Sequence, residues 1–216
     1  MEEQPTPPRG GPKAPQDLPP SDSAELRREV LACGRCGLSE TAAQAVLGTG
    51  TVGAPLMFVG EAPGREEDRV GEPFVGRAGQ LLNRALEKLG VARSQVYITN
   101  VVKYRPPENR LPRAAEIRAC MTHLRREIAL VRPKVICALG TVAAQALLDT
   151  KESLARLRGR HVEVHGVRVL PTFHPAYILR SMEYSRAALQ AFEADLRRAC
   201  RDAGLLGDLE ARGGAL

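Results

Sequence analysis

Two hydrophobic periods alternate along this chain. Pro55–Val59 (PLMFV) is a short unbroken apolar run stopped by Gly60, which predicts a buried strand. Ala78–Leu89 carries Leu81, Leu82, Leu86 and Leu89 at helical spacing and stops at Gly90. Gln95–Val102 (QVYITNVV) is β-branched and predicts a strand. Arg105–Arg113 follows as a proline-punctuated loop, then Ala114–Val131 as a long helix halted near Pro133. Lys134–Leu139 (KVICAL) predicts another strand and Thr141–Leu148 another helix. His161–Val164 and Val167–Pro171 flank His165-Gly166 and predict paired strands, and Ser185–Ala203 a closing helix. Before all of these, Ser23–Leu31 reads as a short helix, with Ser21-Asp22-Ser23 as capping candidates.

Strands alternating with helices imply an α/β fold, a mostly parallel central sheet covered on both faces in a three-layer α-β-α sandwich. Ligands in such folds sit at the carboxyl ends of strands, which directs attention to the loops after Val59, Thr99 and Val169. Residues 1–22 hold seven prolines and almost no large apolar side chain, so they are expected to be a disordered tail. The folded domain is expected over 23–204, with a flexible, Gly-rich tail over 205–216. No internal repeat is present in the sequence.

Composition refines this picture at three points. Of the 216 residues 44% are apolar but only 4% aromatic, with no Trp, so aliphatic packing dominates the core. The formal charge is +6, compatible with an anionic partner such as DNA and equally with ordinary solubility. No signal peptide is visible in MEEQPTPPRGGPK, and no apolar run reaches the ~20 residues of a membrane span. A cytoplasmic protein with no membrane partner is the expectation. Its five cysteines, Cys33, Cys36, Cys120, Cys137 and Cys200, then stay reduced, and metal or cluster binding outranks disulfides.

Each of the three loops carries a cluster. Gly60–Asp68 (GEAPGREED) combines small residues, which admit a ligand close to the backbone, with Glu61, Glu66, Glu67 and Asp68. It lacks the Gly-Lys-Ser/Thr of a P-loop, and a glycine turn with a solvated acidic run is the plain alternative. Asn100, at or just past a strand end, has an amide that suits the edge of a pyrimidine. Lys103, Arg105, Arg110 and Arg113 nearby could touch phosphates, or form an ordinary basic surface. In Phe173–Arg180 (FHPAYILR), His174 is held against a proline. Tyr177-Ile178-Leu179 is either helix core or a wedge entering a DNA stack while Arg180 holds a phosphate.

Taken in order, GEAPGREED, GEPFVGRAGQLLN (71–83), YITNVVKYRPPENR (97–110), ALG (138–140) and FHPAYILR resemble the iron–sulfur, family-4 uracil-DNA glycosylases. The resemblance spans about Leu31 to Arg198. It implies an enzyme that flips uracil out of single- or double-stranded DNA and hydrolyses its N-glycosidic bond, acting as a monomer. By position it implies Glu61 as the water-orienting group, since other branches carry an activating Asp in the slot of Ala62 and a thymine-blocking Tyr in that of Gly64. Ala62 and Glu67 would line the uracil, Glu67 excluding thymine, and Phe74 would stack on the base. Asn100 would read the uracil edge, and His174 would bond the uracil oxygen as charge builds. Arg105, Ile178 (the wedge) and Arg180 would contact DNA. A non-catalytic DNA-binding relative in a replication or repair complex is the main rival. A branch that stays covalently bound to its product needs a histidine after the KxRPP segment, and none lies between Asn100 and Thr122.

The same resemblance implies a 4Fe-4S cluster on four cysteines. Cys33 and Cys36 match the first pair and Cys120 the last, but Tyr104 stands where the third cysteine is expected. The alternatives are three cysteines with a group at or near Tyr104, Cys137 as fourth ligand, or loss of the cluster. A zinc site from Cys33, Cys36, Cys120 and His123 is a further one. Cys137, inside KVICAL, reads as an inert strand thiol, and Cys200 as structural.

Overall fold

A computed structural model of the chain describes residues 23–164, 166–181 and 186–207. The proline-rich segment, two of the three capping candidates, Ser21 and Asp22, and residues 208–216 lie outside them. Six strands form one sheet: β1 (Thr49–Gly50), β2 (Leu56–Gly60), β3 (Tyr97–Asn100), β4 (Val135–Leu139), β5 (Val162–Val164) and β6 (Val167–Thr172), in spatial order β1-β3-β2-β4-β6-β5. The four inner strands are parallel, and the edge strands β1 and β5 pair antiparallel.

The central strands read as unbroken apolar runs because both faces are buried. Leu56 and Phe58 of β2, with Val135, Cys137 and Leu139 of β4, enter one core. There they meet α3 (Arg77–Glu87), α7 (Pro175–Ser181) and α8 (Arg186–Asp202). Met57, Val59, Ile136 and Ala138 point to the opposite face. That face is covered by α1 (Ser23–Leu31), α4 (Ala114–Val131), α5 (Thr141–Leu148) and the single turn α6 (Leu154–Leu157). This is the expected three-layer arrangement. Leu205 and Leu206, past the closing helix, still pack on the α3/α8 side. The remaining short helix, α2 (Arg65–Val70), carries most of the acidic run after β2. Periodicity missed it because six residues are too few to show a helical repeat. Among the described residues, no helix is long and apolar enough to cross a membrane.

Parallel pairing brings the strand ends level. Gly60 lies opposite Asn100, and Leu139 opposite Thr172. The loops that follow β2, β3, β4 and β6 therefore open on one edge of the sheet.

Candidate active site

Those loops surround a cleft of about 920 Å³. Glu61, Ala62, Glu67, Phe74, Asn100, His174 and Arg180 all line it.

Gly60 ends β2 where no side chain fits: a Cβ there would overlap the Asn100 amide oxygen and the Phe74 ring. Gly60→Ala should push both groups from their places at the cleft wall, read as shifted Asn100 and Phe74 side-chain resonances in NMR spectra of the variant. Asn100 is 2% exposed, and its Oδ1 has no hydrogen-bond partner. A buried amide oxygen left empty at a cleft wall is a place for a ligand donor. The Asn100 backbone is held from behind: the Lys103 ammonium donates to its carbonyl (2.7 Å), to Thr99 Oγ1 (2.8 Å) and to Glu127 Oε2 (2.5 Å).

Phe74 faces the cleft from a turn with φ of 55°, an unfavourable value for an aromatic residue. Three groups hold that turn. Glu67 accepts from the backbone N–H of Gly64 (3.1 Å), Val75 (3.0 Å) and Gly76 (2.8 Å). Arg93 donates to the Pro73 carbonyl (2.5 Å). Gly79 leaves no room for a Cβ against the Phe74 backbone. The acidic run is thus not a solvated face, because Glu67 spans two loops and Asp68 accepts from the N–H of Ala43 (2.9 Å). Sequence reading missed Lys103, Glu127, Arg93 and Gly79 as supports, since each acts on a residue brought near only by folding.

His174 follows β6, with its ring 5.8 Å from that of Phe74. The N–H of Ala176 donates to its Nδ1 at 3.1 Å, so the proton of the neutral ring sits on Nε2. Burial, and then the Arg180 charge, lower the imidazole pKa to about 4, so the ring is neutral at physiological pH. Beneath the loop, Thr172 donates to Asp195 Oδ2 (2.6 Å), which also accepts from Arg158 (2.6 Å). Burial raises the Glu61 carboxyl above its ordinary value, with Arg180 opposing the shift.

Two side chains expected to contact DNA, Ile178 and Lys103, are buried. Ile178 is fully buried on the core side of α7, so it cannot act as a wedge in this conformation. The exposed side chain of that turn is Tyr177, 48% accessible, stacked on Phe173 at 5.4 Å. Lys103 is wholly buried in its ion pair with Glu127 and reaches no phosphate. Arg105 lies outside the cleft lining, donating to Asn109 Oδ1 (2.7 Å) with Asp68 3.8 Å away. Arg110 lines the cleft but forks onto Glu116 (2.6 and 2.9 Å).

Cys33 and Cys36 lie in the loop after α1, and Cys120 on α4 beside it. Burial, then these three neighbouring thiols, push the Tyr104 phenol above its ordinary value. Its hydroxyl donates to the carbonyls of Val30 (2.9 Å) and Leu31 (3.2 Å), at the end of α1. A phenolate there would face two carbonyl oxygens, so Tyr104 is not placed as a ligand. Cys137 is removed too: it sits in the α8-side core, whereas Cys120 belongs to the core on the other face of the sheet. Among the described residues, no three His, Cys, Asp or Glu side chains converge as they would on a single ion.

An α/β sheet with this cleft at its strand ends defines a class, and residues 47–197 match the Uracil DNA glycosylase superfamily. A type-4 uracil-DNA glycosylase of Thermotoga maritima is 44% identical over 172 residues, 78% of this chain and 90% of the relative. Type-4 enzymes of Archaeoglobus fulgidus (40% over 182 residues, 81% and 89%) and Pyrobaculum aerophilum (43% over 167 residues, 74% and 85%) are similarly related. The chain belongs to the uracil-DNA glycosylase superfamily and, within it, to the type-4 group.

Proposed function

We propose that this protein excises uracil from DNA by hydrolysing the bond between uracil N1 and C1′ of the sugar, leaving an abasic site. The observation that carries the reading is the empty, buried Asn100 Oδ1 facing, across one cleft, a neutral His174 whose tautomer is set.

Uracil must leave the base stack to reach such a cleft, and Phe74 offers a face on which to stack it. Asn100 Oδ1 accepts from uracil N3–H, and its amide N–H₂ donates to O4. Cytosine reverses both polarities and leaves buried groups unpaired, which is where a polar site discriminates most strongly. As the C1′–N1 bond breaks, the sugar gains oxocarbenium character and the uracil takes the electron pair. His174 Nε2–H donates to the oxygen on which that charge collects. Glu61 orients a water toward C1′ and takes its proton. Burial, which raises its pKa, makes it a stronger base for that role. Arg180, exposed and lining the cleft, contacts a phosphate, and Tyr177, exposed one turn before it, meets the DNA in place of the buried Ile178.

A four-iron cluster is part of the same reading. Three thiols stand near one another and Tyr104, and His123, three residues after Cys120 on α4, has two orphaned buried nitrogens, a donor set whose chemistry fits such a cluster. Cys33, Cys36 and Cys120 would hold it. Its contribution there is a cross-link between the N-terminal loop and α4, with no step of the hydrolysis assigned to it.

Incubation with single-stranded and U·G duplex oligonucleotides, followed by alkaline cleavage, is expected to cut at uracil. No cleavage by iron-loaded protein would refute the enzyme reading and leave a DNA-binding relative. Asn100→Asp should gain measurable cytosine excision, and Asn100→Ala should lose uracil excision by at least tenfold. Unchanged uracil excision in Asn100→Ala would remove that residue from recognition.

A further inference from the structure

His123 poses a specific problem. It is 1% exposed on α4, and neither Nδ1 nor Nε2 has a hydrogen-bond partner. A neutral imidazole has one donor and one acceptor, and here both are stranded in the interior, which native proteins rarely tolerate. A missing ligand is the economical explanation, and the surroundings say which. His123 lies three residues after Cys120, so both project from one face of the helix. Arg35, inside the Cys33–Cys36 loop, is within electrostatic reach of His123, as is Glu29 of α1. The cysteine loop therefore lies over this part of α4.

We propose that His123 is the fourth protein ligand of the cluster held by Cys33, Cys36 and Cys120, binding one iron through an imidazole nitrogen. The inference rests on the iron–sulfur reading above and extends it to the position left open by Tyr104. Tyr104 is committed as a donor to the end of α1, and Cys137 is across the sheet. Imidazole can replace thiolate on cluster iron. A single zinc would instead draw all four ligands to within about 2.0–2.3 Å of one point, and no three of the described candidate ligands converge in that way. Cluster ligands each bind a different iron and need not meet at one point. A neutral imidazole also leaves the cluster one charge less negative than four thiolates would.

The test uses the full chain, purified and reconstituted anaerobically, with iron and sulfide analysis. Protein grown on ¹⁵N-histidine and on unlabelled histidine is cryoreduced and compared by pulsed electron–nuclear double resonance. The expected result is about four irons per chain, with a histidine nitrogen coupling that changes from the ¹⁴N to the ¹⁵N pattern. His123→Cys should keep the visible absorbance and lose that coupling, while Tyr104→Phe should keep both. Iron present without a histidine nitrogen coupling overturns the assignment of His123 and leaves the cluster standing. Zinc alone, or no metal, overturns both. The measurement on the unaltered chain decides even where a variant fails to fold.

Discussion

Replacing His174 with alanine is expected to slow single-turnover uracil excision by about 10²–10³-fold, the effect of removing one donor aimed at a developing oxyanion. Affinity for uracil-containing DNA should change little, because phosphate contacts supply most of that binding. The magnitude follows from preorganisation. Ala176 N–H fixes the tautomer, and Thr172 with Asp195 anchors the base of the loop, so the Nε2 donor need not reorient as charge develops. Gly140, at φ of 91°, lies so near His174 that a Cβ on it would crowd the His174 Cβ. With the ring's pKa near 4, excision should show no His174-dependent inflection near pH 6.5. An inflection there that vanished in His174→Ala would mean that an imidazolium, not the neutral ring, stabilises the leaving base.

The same shift has a consequence for stability. In the unfolded chain the imidazole binds a proton near pH 6.5, whereas in the folded protein it does so only near pH 4. Between these values the unfolded state holds more protons. The group's contribution is therefore complete above pH 6.5 and is lost as pH falls toward 4. Urea midpoints for the wild type should drop more steeply across this window than those for His174→Ala.

Lys103→Met is expected to destabilise the fold by about 3–5 kcal/mol, the usual cost of leaving one charge of a buried pair behind. Both partners are almost completely buried, and the side chains meet at 2.5 Å. Glu127 would keep neutral donors such as Gly48 N–H (3.1 Å) and the Thr99 hydroxyl (2.9 Å) but no countercharge from Lys103. Removing both charges in Lys103→Met/Glu127→Leu should recover much of the loss, because no ion is then stranded. Urea unfolding of the two variants measures the difference. The single variant should also weaken uracil recognition, since Lys103 Nζ is the donor to the Asn100 carbonyl. Equal midpoints for Lys103→Met and wild type would show that the pair contributes nothing net.

The contrast between Lys103 and Asn100 shows where sequence reading succeeds. Asn100 was recognisable because it sits at the end of a β-branched run, and strand ends in parallel sheets face ligands. Lys103 looked like another member of a basic surface cluster. Its carboxylate partner is 24 residues away on a helix, and no local pattern records that pairing. The burial of Ile178 was hidden for a related reason. A single helical turn does not reveal which residue faces inward until the packing partner is known, and α3 and α8 claim Ile178 rather than Tyr177. The cysteine motif suggested a metal site from sequence, but the orphaned nitrogens of His123 are a property of packing alone.

Local sequence determined the alternation of strands and helices, the two-sided burial of the central strands and three of the loops that line the cleft, because these depend on periodicity and residue type over a few positions. It also carried the ordered motifs that mark the family. Tertiary structure alone decided which charges are paired, which face of α7 meets solvent, which imidazole nitrogen of His174 holds the proton and which cysteines share a side of the sheet. Those outcomes depend on burial and on contacts between distant segments. Burial turns a lysine into an internal brace, a histidine into a neutral donor and a second histidine into a candidate ligand.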